Sequence, residues 1–374
     1  MKGRVLLATG IYPPETGGPA TFVPALASEW TKRGFEVTVI TYGDERTVRS
    51  PNWHVEVVSR TGGVLARYWR YFLRVKHLAK AADIVFLQGA FSEGFPGALA
   101  AKCVGVPTML RVPGDFAWEG FQRERPTVAL PLEQFLEQPK PWKWRLVFAL
   151  ESWVARSARC IVMPSRYLQT LARAWGVSET RQRVIYNTVE IAQLPPRTEL
   201  RQRLKIPEDR VVLLTNVRGV PWKRVDFLLR VLAELPSQYH FVHIGEGPEL
   251  SRWKDQVHDL KLEDRVTFCG RVPYSEVQIW SRAADAFVLP SLYEGFPHVA
   301  LEAACQGTPC FVSDKGGNPE AHDAYPERIQ VLPYDDFDAW LQALSHLPPH
   351  QEPLTPTPFA AVADAYADAL DSCL

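Results

Sequence analysis

The sequence predicts an α/β protein of two doubly wound, Rossmann-like domains that face each other across a cleft. Short apolar runs alternate with amphipathic helical stretches along the chain, and this alternation is typical of a parallel sheet with helices on both faces. The alternation occurs as two complete series. A chain of 374 residues is long for one hydrophobic core but sufficient for two.

The first series supplies the N-terminal domain. Its apolar runs are continuous rather than alternating, as expected of strands that are buried on both faces. Strands are predicted at residues 4–8, 37–40, 84–87, 108–112 and 160–163, with helices at 20–33, 65–80 and 144–157.

The second series supplies the C-terminal domain. Strands are predicted at residues 210–214, 240–244, 266–268, 286–289 and 309–312, with helices at 225–235, 274–282 and 299–306. Pro195 and Pro196 favour an extended linker, so the predicted domains are residues 1–192 and 193–356. A Pro-rich stretch then leads into a last helix, 359–374, which is predicted to pack back on the first domain.

The composition is typical of a globular enzyme. Apolar residues make up 46% and charged residues 22% of the chain. No apolar run approaches the about 20 residues that span a bilayer, and the N-terminus is interpreted as a first strand rather than a signal peptide. Six scattered cysteines and nine histidines show no metal-ligand spacing. A cytoplasmic protein without a bound metal is therefore expected.

The net charge of zero conceals an asymmetry. Residues 1–190 contain 25 Lys and Arg against 16 Asp and Glu, whereas the remaining residues contain 17 against 26. The basic half suits an anionic surface or acceptor. Complementary faces across an interdomain cleft are an equally good explanation.

The most informative segment is residues 291–303, which contains Glu294 and Glu302. A predicted strand at 286–289 is followed by a Pro-containing turn and a helix. The turn directs N–H groups and the positive end of a helix above the carboxyl end of a strand, where open α/β sheets bind ligands. Carboxylates on both sides of these donors suit a nucleotide sugar. The alternative is that both are solvated residues of a helix.

Two further loops offer groups for phosphate. Arg218 and Lys223 flank one turn after the first strand of the second domain, and they suit a diphosphate. Without an acidic metal cradle, such cations would stabilise a departing nucleoside diphosphate directly. Gly17 and Gly18 allow backbone to approach a ligand before the first helix, although a plain tight turn is an equally good explanation. The spacing G-x-G-x-x-G of dinucleotide-binding proteins is absent.

Taken in order, these segments resemble the family 4 glycosyltransferases, which are retaining enzymes of the GT-B fold. The resemblance covers nearly the whole chain and is strongest from Val211 to Glu320. The matching motifs are Pro13-Pro14-x-x-Gly17-Gly18, Pro164-Ser165-Arg-Tyr-Leu, Val184-Ile-Tyr-Asn187-Thr-Val-Glu, Arg218-x4-Lys223, Gly245-Glu-Gly247-Pro248, Phe268-Cys-Gly270, Glu294-x7-Glu302 and Gly316-Gly317-Asn-Pro-Glu320.

The resemblance implies a role for each matching residue. Gly17 and Gly18 would lie beside the donor phosphates, which Arg218 and Lys223 would bind. The donor's sugar would contact Glu294 and the following turn, made of Phe296, Pro297, His298 and Val299. The ribose would contact Glu302, and the base would meet the backbone near Gly270, Arg271 and Val272.

Three departures from the family pattern are visible. Val217 and Arg224 stand where the family has glycines beside the phosphate-binding pair, and Pro297 removes one N–H donor. Gly114 stands where the family often has the His of a His-Asp pair. Asp115 is therefore predicted at the reacting centre, and capping of the following turn is the alternative.

The predicted function is retaining transfer of a sugar from a nucleoside diphosphate sugar to a hydroxyl acceptor, either a glycan or a lipid-linked saccharide. No evident nucleophile is present, which favours front-face transfer in which the leaving phosphate helps to deprotonate the acceptor. Two rival functions stay open. A sugar-nucleotide epimerase on a related fold would form product without an acceptor, and a non-catalytic sugar-nucleotide-binding protein would show no turnover.

The basic half also predicts peripheral contact with the inner face of the cytoplasmic membrane. Residues 64–80 place aromatic residues and leucines at helical spacing with Arg67, Arg70 and Arg74 between them, and residues 141–145 add tryptophans beside cations. Such a face can lie on an anionic bilayer. An ordinary amphipathic helix that covers the sheet is the alternative.

Overall fold

The computed structural model describes residues 3–15, 17–44, 46–47, 49–125 and 130–373. The chain divides into two compact units. The first consists of Met1–Phe121, Glu133–Tyr186 and Phe359–Leu374, and the second of Gln122–Leu132 and Asn187–Pro358. The division thus falls a few residues before the linker at which the sequence places the joint.

The first unit contains a seven-stranded parallel sheet. Its strands are β1 (Arg4–Thr9), β2 (Glu36–Gly43), β3 (His54–Ser59), β4 (Ile84–Leu87), β5 (Thr108–Arg111), β6 (Cys160–Met163) and β7 (Gln182–Val184). The spatial order is β3-β2-β1-β4-β5-β6-β7. Its direction reverses between β1 and β4, which are paired neighbours.

Helices connect these strands. They are α1 (Gly18–Lys32), α2 (Gly63–Ala79), α3 (Gly94–Val104), α4 (Phe116–Glu124), α5 (Leu132–Glu137), α6 (Trp142–Ser157) and α7 (Gln169–Ala174). The segment Gln122–Leu132, which includes the end of α4 and the first residue of α5, is grouped with the second unit.

The second unit contains a six-stranded parallel sheet. Its strands are β8 (Val211–Asn216), β9 (Tyr239–Ile244), β10 (Val266–Gly270), β11 (Ala286–Leu289), β12 (Cys310–Ser313) and β13 (Ile329–Leu332). Its helices are α8 (Arg197–Arg203), α9 (Val225–Glu234), α10 (Leu250–Asp259), α11 (Tyr274–Ala283), α12 (His298–Cys305), α13 (Asn318–Ala324) and α14 (Phe337–Ser345). The order β10-β9-β8-β11-β12-β13 repeats the reversal, here between β8 and β11.

The last helix, α15 (Phe359–Asp371), packs on the first unit. The indole nitrogen of Trp30 donates a hydrogen bond to the carbonyl oxygen of Ala363 at 3.0 Å, and the rings of Phe22 and Tyr366 lie 5.2 Å apart. This apolar contact covers one face of the first sheet. The predicted final residue of the helix, Leu374, lies outside the described residues.

The predicted fold class is confirmed, because both sheets are parallel, doubly wound and covered by helices. Each predicted strand is present. The strands that the sequence did not predict, β3, β7 and β13, all lie at sheet edges. No helix among the described residues is both long and apolar enough to cross a bilayer.

Candidate functional site

The strand order of the second unit reverses between β8 and β11. Strands β8 and β11 are parallel neighbours, and their outgoing loops lead to helices on opposite faces of the sheet. Ligands of open α/β sheets bind outside the carboxyl ends of such strands. The loop after β8 contains Arg218 and Lys223, and the loop after β11 contains Glu294. Three of the predicted catalytic residues therefore lie at this reversal.

Lys223 and Glu294 are in direct contact. The Lys223 ammonium lies 2.5 Å from Glu294 Oε1, and the two side chains are only 14% and 11% exposed. The backbone N–H of Leu292 donates to the carbonyl oxygen of Trp222 at 2.7 Å, which fastens one loop to the other. A nearly buried ion pair is thus held between two fixed loops. Each charge balances the other when no ligand is bound.

The loop after β12 encloses Glu294 from a third side. The backbone N–H of Gly317 donates to the carbonyl oxygen of Glu294 at 2.8 Å. Gly316 has a left-handed φ of 67°, and a Cβ added there would lie 2.5 Å from the backbone nitrogen of Glu294. Only glycine allows this approach. The motif that contains both glycines therefore shapes the site through backbone contact.

Arg218 is exposed at the start of the same loop, with its guanidinium 5.7 Å from the centre of the Trp222 ring. The two residues that replace glycines beside the predicted phosphate-binding pair, Val217 and Arg224, have local explanations. Val217 is buried in the core of the unit. Arg224 adopts a left-handed φ of 52°, and its guanidinium lies 5.0 Å from the ring centre of Tyr334. These contacts offset the cost of a left-handed conformation in a residue other than glycine.

Glu302 lies on α12, one turn after its first residue. Its Oε1 accepts a hydrogen bond from the Tyr274 hydroxyl at 2.8 Å. Burial raises the pKa of Glu302 to about 7. Tyr274 opens α11 directly after the loop that contains Gly270, Arg271 and Val272. The predicted ribose-binding and base-binding segments are therefore adjacent in the structure.

Gly270 has a left-handed φ of 65°, with open space where a Cβ would stand. Arg271 is exposed and pairs with Glu246 at 3.2 Å, whereas Val272 packs against the core. Neither Tyr274 nor Glu246 was among the sequence-predicted site residues. An aromatic residue two positions after the Gly270–Val272 loop is the signal that could have indicated Tyr274.

The turn before α12 uses part of its own hydrogen-bonding capacity. The N–H of His298 donates to the carbonyl oxygen of Phe296 at 3.0 Å, and the carbonyl oxygen of Pro297 accepts from Ala300 and Leu301. Phe296 is buried, and Val299 packs against the same core. The rings of Phe296 and His298 meet edge to face at 6.3 Å. These residues set the path of the chain between Glu294 and Glu302.

Gly17, Gly18 and Asp115 belong to the first unit. Gly17 has φ 148°, a Cβ added there would lie 2.8 Å from Ile11 Cδ1, and its carbonyl oxygen accepts from Thr21 at 3.2 Å. Gly18 begins α1, and both glycines are exposed. They stand after β1, where the strand order of this unit reverses.

Asp115 is 0% exposed and lies directly before α4. Its Oδ1 accepts a hydrogen bond from the N–H of Trp118 at 2.7 Å, which is the capping geometry that the sequence left as an alternative. Its Oδ2 is buried without a hydrogen-bond partner in the described structure. Glu151, which the sequence did not indicate, accepts from the N–H groups of Phe116 at 3.0 Å and Ala117 at 3.2 Å.

Burial raises the pKa of Asp115 to about 7 and that of Glu151 well above its usual value. Two buried carboxyl groups thus converge on the first turn of one helix. They accept hydrogen bonds from the N–H groups that a helix leaves unpaired at its start.

Family models match both halves of the chain. Residues 17–188 match the model described as "Glycosyl transferase 4-like domain", and residues 196–351 match "Glycosyl transferases group 1". Among curated proteins, an alpha-monoglucosyldiacylglycerol synthase of Streptococcus pneumoniae is 26% identical over 93% of this chain and 80% of the relative. Alignments with some other curated relatives cover only about half of their length.

Solved structures with the same fold include one from Thermosynechococcus elongatus and one from Anabaena. A sucrose-phosphate synthase from Thermosynechococcus elongatus has a TM-score of 0.74 at 19% identity. The match covers 91% of this chain and 88% of the synthase chain. Anabaena HepE, in complex with UDP and glucose, has a TM-score of 0.71 at 19% identity over 99% of this chain and 93% of its own. At this identity the similarity shows the fold.

Proposed function

This chain belongs to the family 4 glycosyltransferases of the GT-B fold, and from that premise we propose that it transfers a sugar with retention from a nucleoside diphosphate sugar to a hydroxyl acceptor. The Anabaena structure contains UDP and glucose, so a UDP-sugar is the first donor to test. The Streptococcus relative is named for synthesis of a glucosyl lipid. A lipid-linked acceptor is the first acceptor to test.

The observation on which this proposal rests is the contact between Lys223 and Glu294 at the strand-order reversal of the second unit. A nucleoside diphosphate sugar presents an anionic phosphate directly beside a sugar rich in hydroxyl groups. The ammonium suits the phosphate, and the carboxylate accepts from the hydroxyls. In the proposed complex the ligand replaces the ion pair by two separate contacts. Glu302 lies one helical turn after the first residue of α12, and in the proposed complex it binds the ribose.

The chemical step in this proposal depends on charge stabilisation and positioning. Arg218 and Lys223 stabilise negative charge on the departing diphosphate, and the same phosphate accepts the proton of the acceptor hydroxyl on the face that it leaves. The carbon–oxygen bond to the acceptor then forms on that face, so the configuration is retained. In this proposal the two cations take the place of a metal ion, and turnover is expected to persist in EDTA.

Asp115 is the proposed contribution of the first unit. Its Oδ1 is engaged by the helix cap, whereas its Oδ2 has no hydrogen-bond partner in the described structure. That second oxygen is the one assigned to a substrate hydroxyl, and because it is buried, the proposed contact requires the start of α4 to shift when substrate binds.

A panel of UDP-, GDP-, ADP- and dTDP-sugars tests the donor. Thermal stabilisation identifies the nucleotide, because a ligand that binds only the folded state raises the unfolding midpoint. The best donor is then incubated with a crude lipid extract, and release of nucleoside diphosphate is measured for the wild type and for Lys223→Ala. Release that depends on both the extract and Lys223 supports the proposal.

The same assay separates the rival functions. Conversion of the donor sugar without the extract would indicate an epimerase. Stabilisation by a nucleotide sugar without turnover would indicate a binding protein.

We further propose that the first unit contacts an anionic membrane surface through α2, α3 and α6. Helix α3 packs against both α2 and α6. Leu65 is 85% exposed, Trp69 61% and Trp142 75%. Residues 65, 69 and 73 recur every fourth position on α2, so they share one face. The large apolar residues that these helices expose are Val64, Leu65, Trp69, Leu73, Leu99, Trp142 and Leu146.

Charge on the three helices complements an anionic bilayer. Their only acidic residue is Glu151, which is buried, whereas cations such as Lys102 and Arg145 are exposed. Each exposed cation near the surface adds about 1 kcal/mol to binding. The arginines of α2 have other partners. Arg70 donates to the carbonyl oxygen of Ser59 at 2.9 Å, and Arg74 pairs with Glu56.

Vesicle sedimentation tests the membrane contact. The triple variant Leu65→Ser, Trp69→Ser, Leu73→Ser should lose most binding to vesicles that contain about a third anionic lipid, because it removes the apolar stripe and leaves the paired arginines intact. Wild-type binding should fall with added salt. Leu354→Ser, an exposed leucine of the second unit, is the matched control. Absence of wild-type binding at low salt would contradict the proposal.

A further inference from the structure

Tyr274 lies between the proposed ribose-binding carboxylate and the chain that enters the second unit. Its hydroxyl oxygen is 2.8 Å from Glu302 Oε1 and 3.1 Å from the carbonyl oxygen of Glu190. A phenol has a single proton to donate. The carboxylate is the stronger acceptor because it is charged. The hydroxyl therefore donates its hydrogen bond to Glu302 while that carboxyl group is ionised.

The backbone acceptor beside the Tyr274 hydroxyl is held in place by buried glutamines, although Tyr274 itself is 51% exposed. The carbonyl oxygen of Glu190 also accepts from Gln278 Nε2 at 3.1 Å, and the Gln278 Oε1 accepts from the N–H of Ala192. Gln306 Nε2 donates to Gln278 Oε1 and to the carbonyl oxygen of Ala192, both at 3.2 Å. Both glutamines are buried. This amide network holds residues 190–192 against α11 and α12, so the hydroxyl meets Glu302 from a constant direction.

The hydrogen bond leaves one carboxylate oxygen available. Tyr274 occupies Oε1 of Glu302, and no described residue supplies a hydrogen bond to Oε2. A carboxylate with one oxygen already engaged cannot rotate freely, and its other oxygen keeps acceptor capacity for hydroxyl donors. Ribose supplies two neighbouring hydroxyls.

We propose that Tyr274 is a positioning residue of the nucleotide site, holding the Glu302 carboxylate so that Oε2 accepts hydrogen bonds from the ribose hydroxyls. This inference rests on the proposed function, which assigns Glu302 to ribose. Tyr274 acts through Glu302 and has no part in the chemical step.

Ionisation supplies a readout that a merely structural role would not change. Burial raises the pKa of Glu302 to about 7, and the hydrogen bond from Tyr274 opposes that rise. The other titratable groups beside the pair are Glu190 and the buried thiol of Cys305. Removing the hydroxyl should raise the pKa of Glu302 further. At pH 6.5 a larger fraction of the variant molecules would then have a protonated Glu302, and a protonated carboxyl group accepts hydrogen bonds poorly.

The test is calorimetric titration of the wild type and Tyr274→Phe with UDP and with 2′,3′-dideoxy-UDP, which lacks both hydroxyls. GDP and ADP, with their dideoxy analogues, replace UDP if either binds the wild type more tightly. Tyr274→Phe should weaken binding of the ribose nucleotide by about tenfold and leave binding of the dideoxy nucleotide within about twofold. The loss should be larger at pH 6.5 than at pH 8.5.

Two controls accompany this titration. Tyr239→Phe also removes a tyrosine hydroxyl, but at the amino end of β9, whereas the proposed site lies at the carboxyl ends of the strands. This variant should change neither affinity. In a Glu302→Gln background, Tyr274→Phe should have little additional effect, because the residue that it positions is already altered.

The outcomes separate the two claims. Equal losses for the two nucleotides, or unchanged affinity in Tyr274→Phe, would overturn the inference and leave the proposed function in place. If the wild type bound only dTDP, which lacks the 2′-hydroxyl, the inference alone would fail. If it bound none of UDP, GDP, ADP and dTDP, the proposed function itself would fail, and the inference with it.

Discussion

At the residue scale, the contact between Lys223 and Glu294 explains how two charged side chains can lie nearly buried beside the carboxyl ends of the strands. Each side chain is nearly buried, and the 2.5 Å contact supplies the counter-charge that burial requires. Removing the charge of one partner therefore leaves the other charge unpaired. The control for any such variant must come from outside this pair.

Substitution of the two proposed phosphate-binding cations should act mainly on turnover. Lys223→Ala or Arg218→Ala should lower kcat/KM by roughly 10²–10³, because each removes a charge that stabilises the leaving diphosphate. Lys254→Ala, an exposed cation on α10, should leave kcat/KM unchanged. Near-normal transfer by Lys223→Ala would remove this residue from the mechanism.

The two glutamates should separate by ligand. Glu302→Gln should weaken binding of free nucleoside diphosphate as well as of the donor, because the proposed ribose contact is common to both. Glu294→Gln should spare the free nucleotide and lower turnover, since its proposed partner is the sugar. Calorimetry with the nucleotide alone measures the difference. Equal losses in both variants would contradict the assignment.

Asp115→Asn tests the first-unit contribution while keeping the helix cap. The amide oxygen can still accept from the N–H of Trp118, so the unfolding midpoint should stay within a few degrees of the wild type. If Oδ2 contacts the substrate, kcat should fall by about 10² or more, the usual range for a group that handles a proton. An unchanged kcat would show that Asp115 caps the helix and takes no part in the reaction.

The proximity of some candidate residues was predictable because their motifs fix both residue type and spacing. Lys223 and Glu294 were assigned to adjacent parts of one ligand, and the structure brings them into contact. Tyr274 and Glu151 were not predictable. Each acts through a contact between residues distant in sequence, Tyr274 with Glu302 and Glu151 with the start of α4. Neither residue belongs to a local pattern.

At the element scale, α4 begins on two buried carboxyl groups, which predicts a dependence of stability on pH. Asp115 and Glu151 have raised pKa values in the folded protein, whereas unfolded carboxyls titrate near about 4. The folded state therefore binds more protons between these values. Proton binding by these two carboxyl groups therefore stabilises the folded protein at low pH. This stabilisation is lost as pH rises from about 4 through 7.

Glu151→Gln should flatten this dependence, because it removes one titrating group and keeps an acceptor for the helix N–H groups. The unfolding midpoint should fall less between pH 5.5 and pH 8.5 in the variant than in the wild type. The difference should be about 2–4 °C for each kcal/mol of unfolding free energy that the variant no longer loses over this range. Thermal denaturation followed by circular dichroism measures both slopes. Identical slopes would show that the pair is not titrating in this range.

Elements differ in how far local sequence determines them. Central strands such as β4 and β11 are continuous apolar runs and were predicted. The edge strand β13, Ile-Gln-Val-Leu, mixes polar and apolar residues. Helix α3 begins Gly-Phe-Pro-Gly, which opposes helix formation locally. It forms because its small residues permit close packing, and a Cβ at Gly97 would lie 2.7 Å from Leu87.

At the scale of the whole molecule, both units repeat one topology, with the strand order reversing once in each sheet. Strand and helix alternation was enough to predict this architecture. The assignment of Gln122–Leu132 to the second unit was not predictable, because it depends on long-range contacts rather than on local composition. The identities of base, sugar and acceptor are likewise absent from the motifs, since the proposed base contacts use backbone atoms.

The most direct test of the central proposal is proton NMR of the reaction between the preferred nucleoside diphosphate sugar and the lipid extract. Stoichiometric release of nucleoside diphosphate is expected, together with a new glycoside whose anomeric proton shows the same configuration as the donor. Both signals should accumulate roughly 10²-fold or more slowly for Lys223→Ala. A product of inverted configuration, or a changed donor sugar without any acceptor, would contradict it.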